Sequence, residues 1–204
     1  MEAATSAYQA DLGADAQAQH YLSRRGISPE TARRFRLGVV RRPVQGHESL
    51  TGRLSIPYIT PAGVVNANYR CIADHDCKEA GEHHRKYLKP EGLPVNLFNV
   101  RDLKATGDVI CICEGEIDTI SLSMCGIPAV GVPGAKTWED HFRLCFQDFT
   151  RVLACGDADN AGKSLNKRLI EAVRATPVRI PKGEDMNSLY LKEGPDGLRK
   201  LIAG

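Results

Sequence analysis

The sequence predicts an α/β protein: a parallel sheet flanked by helices, preceded by a smaller, basic α+β subdomain. Two observations support this prediction. Short apolar runs alternate with helical segments after residue 106, and charge is unevenly divided along the 204 residues. We therefore predict an N-terminal subdomain over residues 1–105 and a second domain, ending in a C-terminal helix, over residues 106–204. A chain of this length can bury a substantial core.

The first half predicts helices followed by an antiparallel hairpin. Residues 5–25, rich in Ala and Gln, predict one helix that ends at Gly26. A second helix is expected in SPETARRF, because Ser28 is a favourable N-cap and Pro29 suits the first helical position. The run RLSIPYITPAGVVNANYRCI predicts a hairpin, since apolar residues alternate on both sides of a Pro-Ala-Gly turn.

The second half contains four apolar runs of strand length, DVICIC, IPAVGV, RVLAC and PVRI, and a helical segment follows each of them. Such a pattern is typical of parallel βαβ units whose sheet is covered on both faces. Ligands of these sheets bind beyond the carboxyl ends of the strands. The residues that follow each run are therefore the first candidates for function.

Acidic residues follow three of the four predicted strands. They are Glu114, Glu116 and Asp118 after the first, Asp157 and Asp159 after the third, and Glu184 and Asp185, with Asn187, after the fourth. Crowded carboxylates repel one another unless a cation lies among them. Because hard oxygen ligands suit Mg²⁺ or Mn²⁺, the pattern predicts a divalent metal site.

The stretch LACGDADNAGKS permits other interpretations. A phosphate-binding P-loop needs four residues between its first glycine and Gly-Lys-Ser, whereas five separate Gly156 from Gly162. A calcium loop that starts at Asp157 needs an acid at its twelfth position, which is Arg168. A single Asp-x-Asp after a strand is usually a turn or a helix cap. The metal interpretation therefore depends on the combination with Glu114.

The charge distribution separates the two halves. Residues 21–105 hold 15 Lys and Arg against 8 Asp and Glu, and the remainder holds 12 against 17. This contrast favours a protein that handles a polyanion with one part and concentrates carboxylates in the other. No apolar run approaches the roughly 20 residues of a membrane span, so we expect a cytoplasmic protein that does not enter a membrane.

The seven cysteines include no C-x-x-C pair, which argues against a zinc ribbon or a redox motif. The loop CIADHDCKEAGEHH contains Cys71, His75, Cys77, His83 and His84. Because this spacing matches no standard zinc site, we do not expect zinc there.

Taken in order, these motifs resemble the catalytic core of DnaG-type bacterial primases with their Toprim domain. EGEID followed by DADNAG resembles the Toprim signature, and it also resembles bacteriophage primase–helicases. YLSRRGISPETARRFRLG, GRLSIPYITPAGVVNANYR, KYL and PKGEDMNSLYLKEG resemble further segments of that core. The resemblance extends over residues 20–200 and implies a Toprim-type parallel sheet.

The resemblance also implies the roles of individual residues. Glu114, Asp157 and Asp159 would form a catalytic, metal-binding centre for two Mg²⁺ or Mn²⁺ ions, supported by Asp118 and Asp185. Asn187 stands where many primases have a second acid. The residues implied in contacts with template or nucleotide triphosphate are Arg53, Arg70, Lys86 and Lys89.

The implied function is that of a DNA primase, which synthesises short RNA primers on single-stranded DNA from ribonucleoside triphosphates. The short chain leads us to expect a phage-encoded core, acting in the host cytoplasm, whose partners are a replicative helicase and a zinc-binding module supplied in trans. Two alternatives stay open: a Toprim nuclease that uses the same acids, and a non-catalytic nucleic-acid-binding protein of the replisome.

Overall fold

A computed structural model describes residues 1–77, 79, 81, 84–105 and 107–204. The chain divides into two compact units, Met1–Pro94 and Val95–Gly204. This division lies earlier than the predicted boundary after residue 105, because the intervening segment packs with the second unit. Leu97 lies in that unit's core, and the backbone of Phe98 exchanges hydrogen bonds with Gly131. Every helix in the described part of the chain is too short or too polar to span a bilayer.

The first unit combines helices with an antiparallel sheet. Its helices are α1 (Glu2–Leu12), α2 (Ala16–Arg24) and α3 (Pro29–Arg34). Its strands, in the order β1-β2-β3-β4, are β1 (Gly38–Val39), β2 (Leu54–Thr60), β3 (Gly63–Arg70) and β4 (Tyr87–Leu88). The strands β2 and β3 form the predicted hairpin, in which Leu54 lies opposite Arg70 and Thr60 opposite Gly63.

The helix predicted over residues 5–25 is wrong, because two helices occupy this segment. The break follows Gly13, and Asp15 starts the second helix by accepting a hydrogen bond from the Ala18 amide at 2.8 Å. A competing N-cap therefore interrupts a stretch of good helix formers. The predicted cap of α3 is confirmed, since the Ser28 hydroxyl accepts from the Thr31 amide at 3.1 Å.

The second unit is the predicted parallel sheet with helices. Its strands are β5 (Val109–Glu114), β6 (Ala129–Val132), β7 (Arg151–Cys155) and β8 (Thr176–Pro177), in the order β6-β5-β7-β8. Its α-helices are α4 (Glu116–Met124), α5 (Asn160–Val173) and α6 (Met186–Ala203), the last kinked at Gly194. The segment after β6 forms a 3-10 helix, Asp140–Phe146, where an α-helix was predicted.

The strands β5, β6 and β7 are buried along most of their length, as continuous apolar strands require, whereas the short edge strand β8 is exposed. Along β5, Ile110 and Ile112 belong to one hydrophobic cluster, whereas Cys111 and Cys113 belong to the cluster on the other face. These cysteines are free and buried, so they act as small apolar side chains. The chain leaves β5 for β6 on one side and later returns to β7 on the other. Open α/β sheets bind ligands at such a switch point.

Candidate active site

Glu114 is the last residue of β5 and therefore stands at the switch point of the sheet. Gly115 follows with φ of 106°, a conformation that favours glycine, and α4 begins at the next residue. The turn packs tightly on β6: a Cβ at Gly131 would lie 2.6 Å from the Thr119 hydroxyl and 2.9 Å from the Gly115 carbonyl oxygen. This close packing fixes the backbone position from which the Glu114 side chain extends.

The Glu114 carboxylate is incompletely satisfied. It is half-buried, and its Oε2 atom has no hydrogen-bond partner among the residues that the structure describes. Burial raises the pKa of this carboxyl, and the negative charge of Asp159 raises it further, against the opposing effect of the Ala135 backbone N–H. A carboxylate in this state gains from a proton or from a cation placed beside it.

The turn between β7 and α5 presents Asp157 and Asp159. A Cβ at Gly162 would overlap the backbone of Asp157, so the start of α5 packs directly against the strand end. The Gly156 amide donates to Asn166 Oδ1 at 2.9 Å and holds the turn from the other side. Asp159 Oδ1 caps α5 by accepting from the Gly162 amide at 2.9 Å. The cap interpretation of Asp-x-Asp is therefore correct for one oxygen of Asp159.

The sheet brings the three predicted acids to one edge, since Cys113 and Cys155, the residues beside them, are paired in register. Within the described residues, Glu114, Asp157 and Asp159 do not form a group whose ligand atoms all lie within 4.8 Å. The donor set nevertheless fits a hard divalent cation, because it consists of carboxylates and includes a buried oxygen without a partner.

Asp118 has a different environment from Glu114. Its side chain is only 8% exposed, and it accepts a hydrogen bond from the Asn187 backbone N–H at 2.8 Å. The Asn187 side chain is fully buried and donates to the Ser121 hydroxyl at 2.9 Å. These contacts join α4 to the first turn of α6. The predicted participation of Asp118 in catalysis stays a prediction; the contacts give it a positioning role.

The acids after β8 are also engaged by the protein. Asp185 caps α6 by accepting from the Ser188 amide at 2.7 Å, and its own amide donates to the Ser188 hydroxyl at 2.9 Å. Glu184 pairs with Lys192, and this hydrogen bond lowers the pKa of Glu184. The predicted metal contact of Asp185 stays a prediction.

Of the four predicted nucleic-acid contacts, two are buried in the first unit. Arg53, 9% exposed, lies near the carbonyl oxygens of Tyr69 and Lys86, at 3.5 and 3.4 Å. Arg70, 7% exposed, packs on the rings of Tyr21 and Tyr87. Protein groups thus supply the partners that a charged residue in an apolar hairpin requires.

The other two predicted contacts, Lys86 and Lys89, are exposed. Contact with nucleic acid stays a prediction for all four. Sequence reasoning missed the Ala135 amide, which lies against Glu114, because a backbone donor has no side-chain signal. The only sequence signal for it was the glycine-containing stretch GVPGAK, which predicts a turn; Gly134, directly before Ala135, has φ of 107°.

Comparison with known proteins shows what this chain is similar to. A family model described as Toprim-like matches residues 111–190. The chain is 34% identical over 152 residues to Gene 57 protein of Mycobacterium phage D29, a match that covers 74% of this chain and 98% of that protein. It is 32% identical over 139 residues to the DNA primase of Pseudomonas aeruginosa, covering 60% of this chain and 21% of the primase.

A solved structure extends the likeness to the whole fold. The DnaG primase catalytic domain bound to ssDNA superposes with a TM-score of 0.78 and 23% identity, covering 100% of this chain and 76% of that chain. At this identity the match shows the shared fold. The Pseudomonas primase is far longer than this chain, which spans 21% of it.

Proposed function

Because the chain belongs to the DnaG-type primase family with a Toprim domain, we propose that it is a catalytic core that synthesises RNA primers on single-stranded DNA. The reaction would be a nucleotidyl transfer that depends on divalent metal. The observation that supports it most is the Glu114 carboxylate, half-buried at the switch point with one oxygen lacking a partner and with Asp159 nearby. Asp118, Glu184 and Asp185 are all engaged by protein groups, whereas Glu114 Oε2 has no partner among the described residues.

Glu114, Asp157 and Asp159 would hold the metal, in a two-ion arrangement. When bound, Mg²⁺ or Mn²⁺ supplies charge neutralisation at the phosphates and favours deprotonation of the attacking 3′-hydroxyl. The protein itself would hold the carboxylates in position for the metal. The Gly156–Gly162 packing sets the position of Asp157, and the Gly162 amide orients Asp159. The raised pKa of Glu114 means that a proton competes with the cation at this oxygen.

The substrates follow from the same proposal. The related DnaG domain was solved with ssDNA, which supports single-stranded DNA as the template. Ribonucleoside triphosphates are the second substrate, and the exposed Lys86 and Lys89 are the contacts that we propose for their phosphates or for the template. A replicative helicase and a zinc-binding module in trans are the proposed partners. The match across nearly all of a phage protein supports a phage-type core.

The test is a primer-synthesis assay with single-stranded DNA, labelled ribonucleotides and Mg²⁺ or Mn²⁺. We expect short oligoribonucleotides from the wild type and strongly reduced synthesis from Glu114→Gln and Asp157→Asn. Glu171→Gln, which changes an exposed acid on α5, is the matched control and should remain active. Degradation of the DNA by the wild type would instead identify a nuclease. DNA binding without products, unaffected by these variants, would identify a non-catalytic protein.

A further inference from the structure

A second group of potential metal ligands lies in the first unit, outside the proposed active site. Cys71, His75, Cys77 and His84 each offer one ligand atom, and these four atoms lie within 4.8 Å of one another. Cys71 Sγ is 3.6 Å from His75 Nε2, which is 3.0 Å from His84 Nε2. In the described residues this is the only group of three or more such side chains with this spacing.

The group closes the loop that connects β3 to β4. Cys71 directly follows β3, and its amide donates to the Lys86 carbonyl oxygen at 2.8 Å, immediately before β4. The loop therefore leaves and re-enters the sheet at the same place. His75, Cys77 and His84 lie between these two ends in the sequence, and their ligand atoms lie within 4.8 Å of one another and of the Cys71 sulfur.

We propose that Cys71, His75, Cys77 and His84 bind one Zn²⁺ ion. Two thiolates and two imidazoles are a common ligand set of structural zinc, and thiolate sulfur disfavours Mg²⁺ and Ca²⁺. Tetrahedral zinc, with bonds of about 2.0–2.3 Å, separates its ligand atoms by about 3.3–3.8 Å. The Cys71–His75 distance of 3.6 Å falls in this range, and the His75–His84 distance of 3.0 Å lies just below it.

The spacing explains why the pattern is hard to detect in the sequence. The ligands follow the order C-x3-H-x-C-x6-H, in which cysteines and histidines alternate. Standard zinc motifs supply pairs from short turns. Here the β3–β4 pairing supplies the proximity, because it fixes both ends of the loop. His83 lies outside the described residues.

The ion would stabilise a segment that ends at one predicted nucleic-acid contact, Lys86, and lies beside another, Arg53. Lys86 follows His84 closely, and Arg53 lies 3.4 Å from the Lys86 carbonyl oxygen. Zinc at this place would hold the end of the loop against the sheet and thereby position Lys86. Two thiolates neutralise the charge of Zn²⁺, so the site adds no net charge to this basic surface. The inference does not depend on the proposed primer synthesis.

The metal content of the full chain tests the site. Protein exposed to Zn²⁺ and then dialysed against metal-free buffer should retain about one zinc per chain by elemental analysis. Cys71→Ser and Cys77→Ser should lose that zinc. Cys145→Ser, which changes an exposed cysteine outside the group, is the matched control and should keep it.

A second measurement does not depend on whether the cysteine variants fold. Co²⁺ bound to the wild type should show the intense absorption of thiolate ligands and the visible bands of tetrahedral cobalt. Three results would overturn the proposal: wild-type protein that retains no zinc, zinc retained in both cysteine variants, or a disulfide between Cys71 and Cys77 in protein purified with zinc and reductant. Zinc lost only in Glu114→Gln or Asp159→Asn would assign the ion to the carboxylates, and this also overturns the proposal.

Discussion

Glu114 and Asp118 stand in one motif, EGEID, yet their surroundings differ in kind. Glu114 is half-buried, one of its oxygens has no hydrogen bond within the described part of the chain, and burial and Asp159 raise its pKa. Asp118 is more deeply buried but accepts the backbone N–H of Asn187 from α6. The difference teaches that burial alone does not mark a functional acid. The informative feature is a buried carboxylate oxygen that the protein leaves without a partner.

The acids after β8 belong with Asp118 in this comparison. Asp185 is occupied as the cap of α6, and Glu184 is paired with Lys192. Asp159 caps α5 in the same way as Asp185 caps α6, so the feature that marks the proposed site is the Glu114 oxygen that has no partner among the described residues.

The largest effect is expected for Glu114→Gln in the primer-synthesis assay. The substitution keeps the shape of the side chain but removes its negative charge, so metal binding at the strand end is weakened. We expect primer synthesis to fall by on the order of 10²–10³-fold, the loss typical for removal of one preorganised charge-stabilising group. Asp118→Asn, which keeps an acceptor oxygen, should retain most of the activity. Equal losses of primer synthesis in both variants would show that Glu114 and Asp118 do not differ in function.

Asp118→Ala should reduce stability more than any other change at these acids. It leaves the Asn187 amide buried without its acceptor. Loss of a hydrogen bond to a charged group costs about 1.5–3 kcal/mol, and we expect the free energy of unfolding in urea to fall by that amount. Asp118→Asn should recover a large part of it. An unchanged urea midpoint for the alanine variant would show that Asp118 does not join α4 to α6.

Gly162→Ala should disturb the turn that presents Asp157. The new methyl group would overlap the Asp157 backbone, and overpacking of this kind costs about 1–3 kcal/mol. We expect a lower urea midpoint together with weaker Mn²⁺ binding, because the strand end must shift. Gly107→Ala, where an added Cβ meets nothing within 4 Å, is the control. If both variants bound Mn²⁺ equally well, the packing of Gly162 against Asp157 would not be needed for metal binding.

The smallest effect is a pH-dependent gain in stability for Glu114→Gln. Because the folded pKa of Glu114 lies above its unfolded value, the folded protein holds this proton more tightly. The carboxylate therefore destabilises the metal-free fold above the folded pKa, and this effect disappears as pH falls toward the ordinary value of 4.5. We expect the variant to be more stable than the wild type at neutral pH.

Urea unfolding without metal, repeated from neutral pH downward, measures this difference. The gain should shrink as the solution becomes more acidic. A difference that is constant with pH, or that has the opposite sign at neutral pH, would show that Glu114 is stabilised by its surroundings.

The parts of the fold that depend on local pattern were predictable from sequence. Apolar runs of strand length predicted β5, β6 and β7, and Ser28-Pro29 predicted the start of α3, because each signal lies within a few residues. The same local reasoning failed over residues 5–25, where the Asp15 cap outweighs good helix formers. It also predicted an α-helix after β6, where the structure has the 3-10 helix Asp140–Phe146.

The site was predictable only as far as the strand ends. Sequence positions put Glu114, Asp157 and Asp159 at one edge of the sheet, but the partners that distinguish them from Asp118 come from distant residues. Asn187 lies 69 positions from Asp118. The cysteine and histidine group likewise depends on the pairing of β3 with β4, which brings both ends of a long loop together. Such contacts depend on tertiary structure and leave no spacing rule in the sequence.

Calorimetric titration of Mn²⁺ into zinc-loaded wild type, Glu114→Gln and Asp118→Asn, at neutral pH, tests the central claim most directly. The claim is that Glu114, whose Oε2 atom has no partner among the described residues, binds the catalytic metal and that Asp118 does not. We expect the Mn²⁺ affinity to fall at least about tenfold, or 1.4 kcal/mol, in Glu114→Gln, and to stay within about twofold, or 0.4 kcal/mol, of wild type in Asp118→Asn. Unchanged affinity in Glu114→Gln with loss in Asp118→Asn would contradict it.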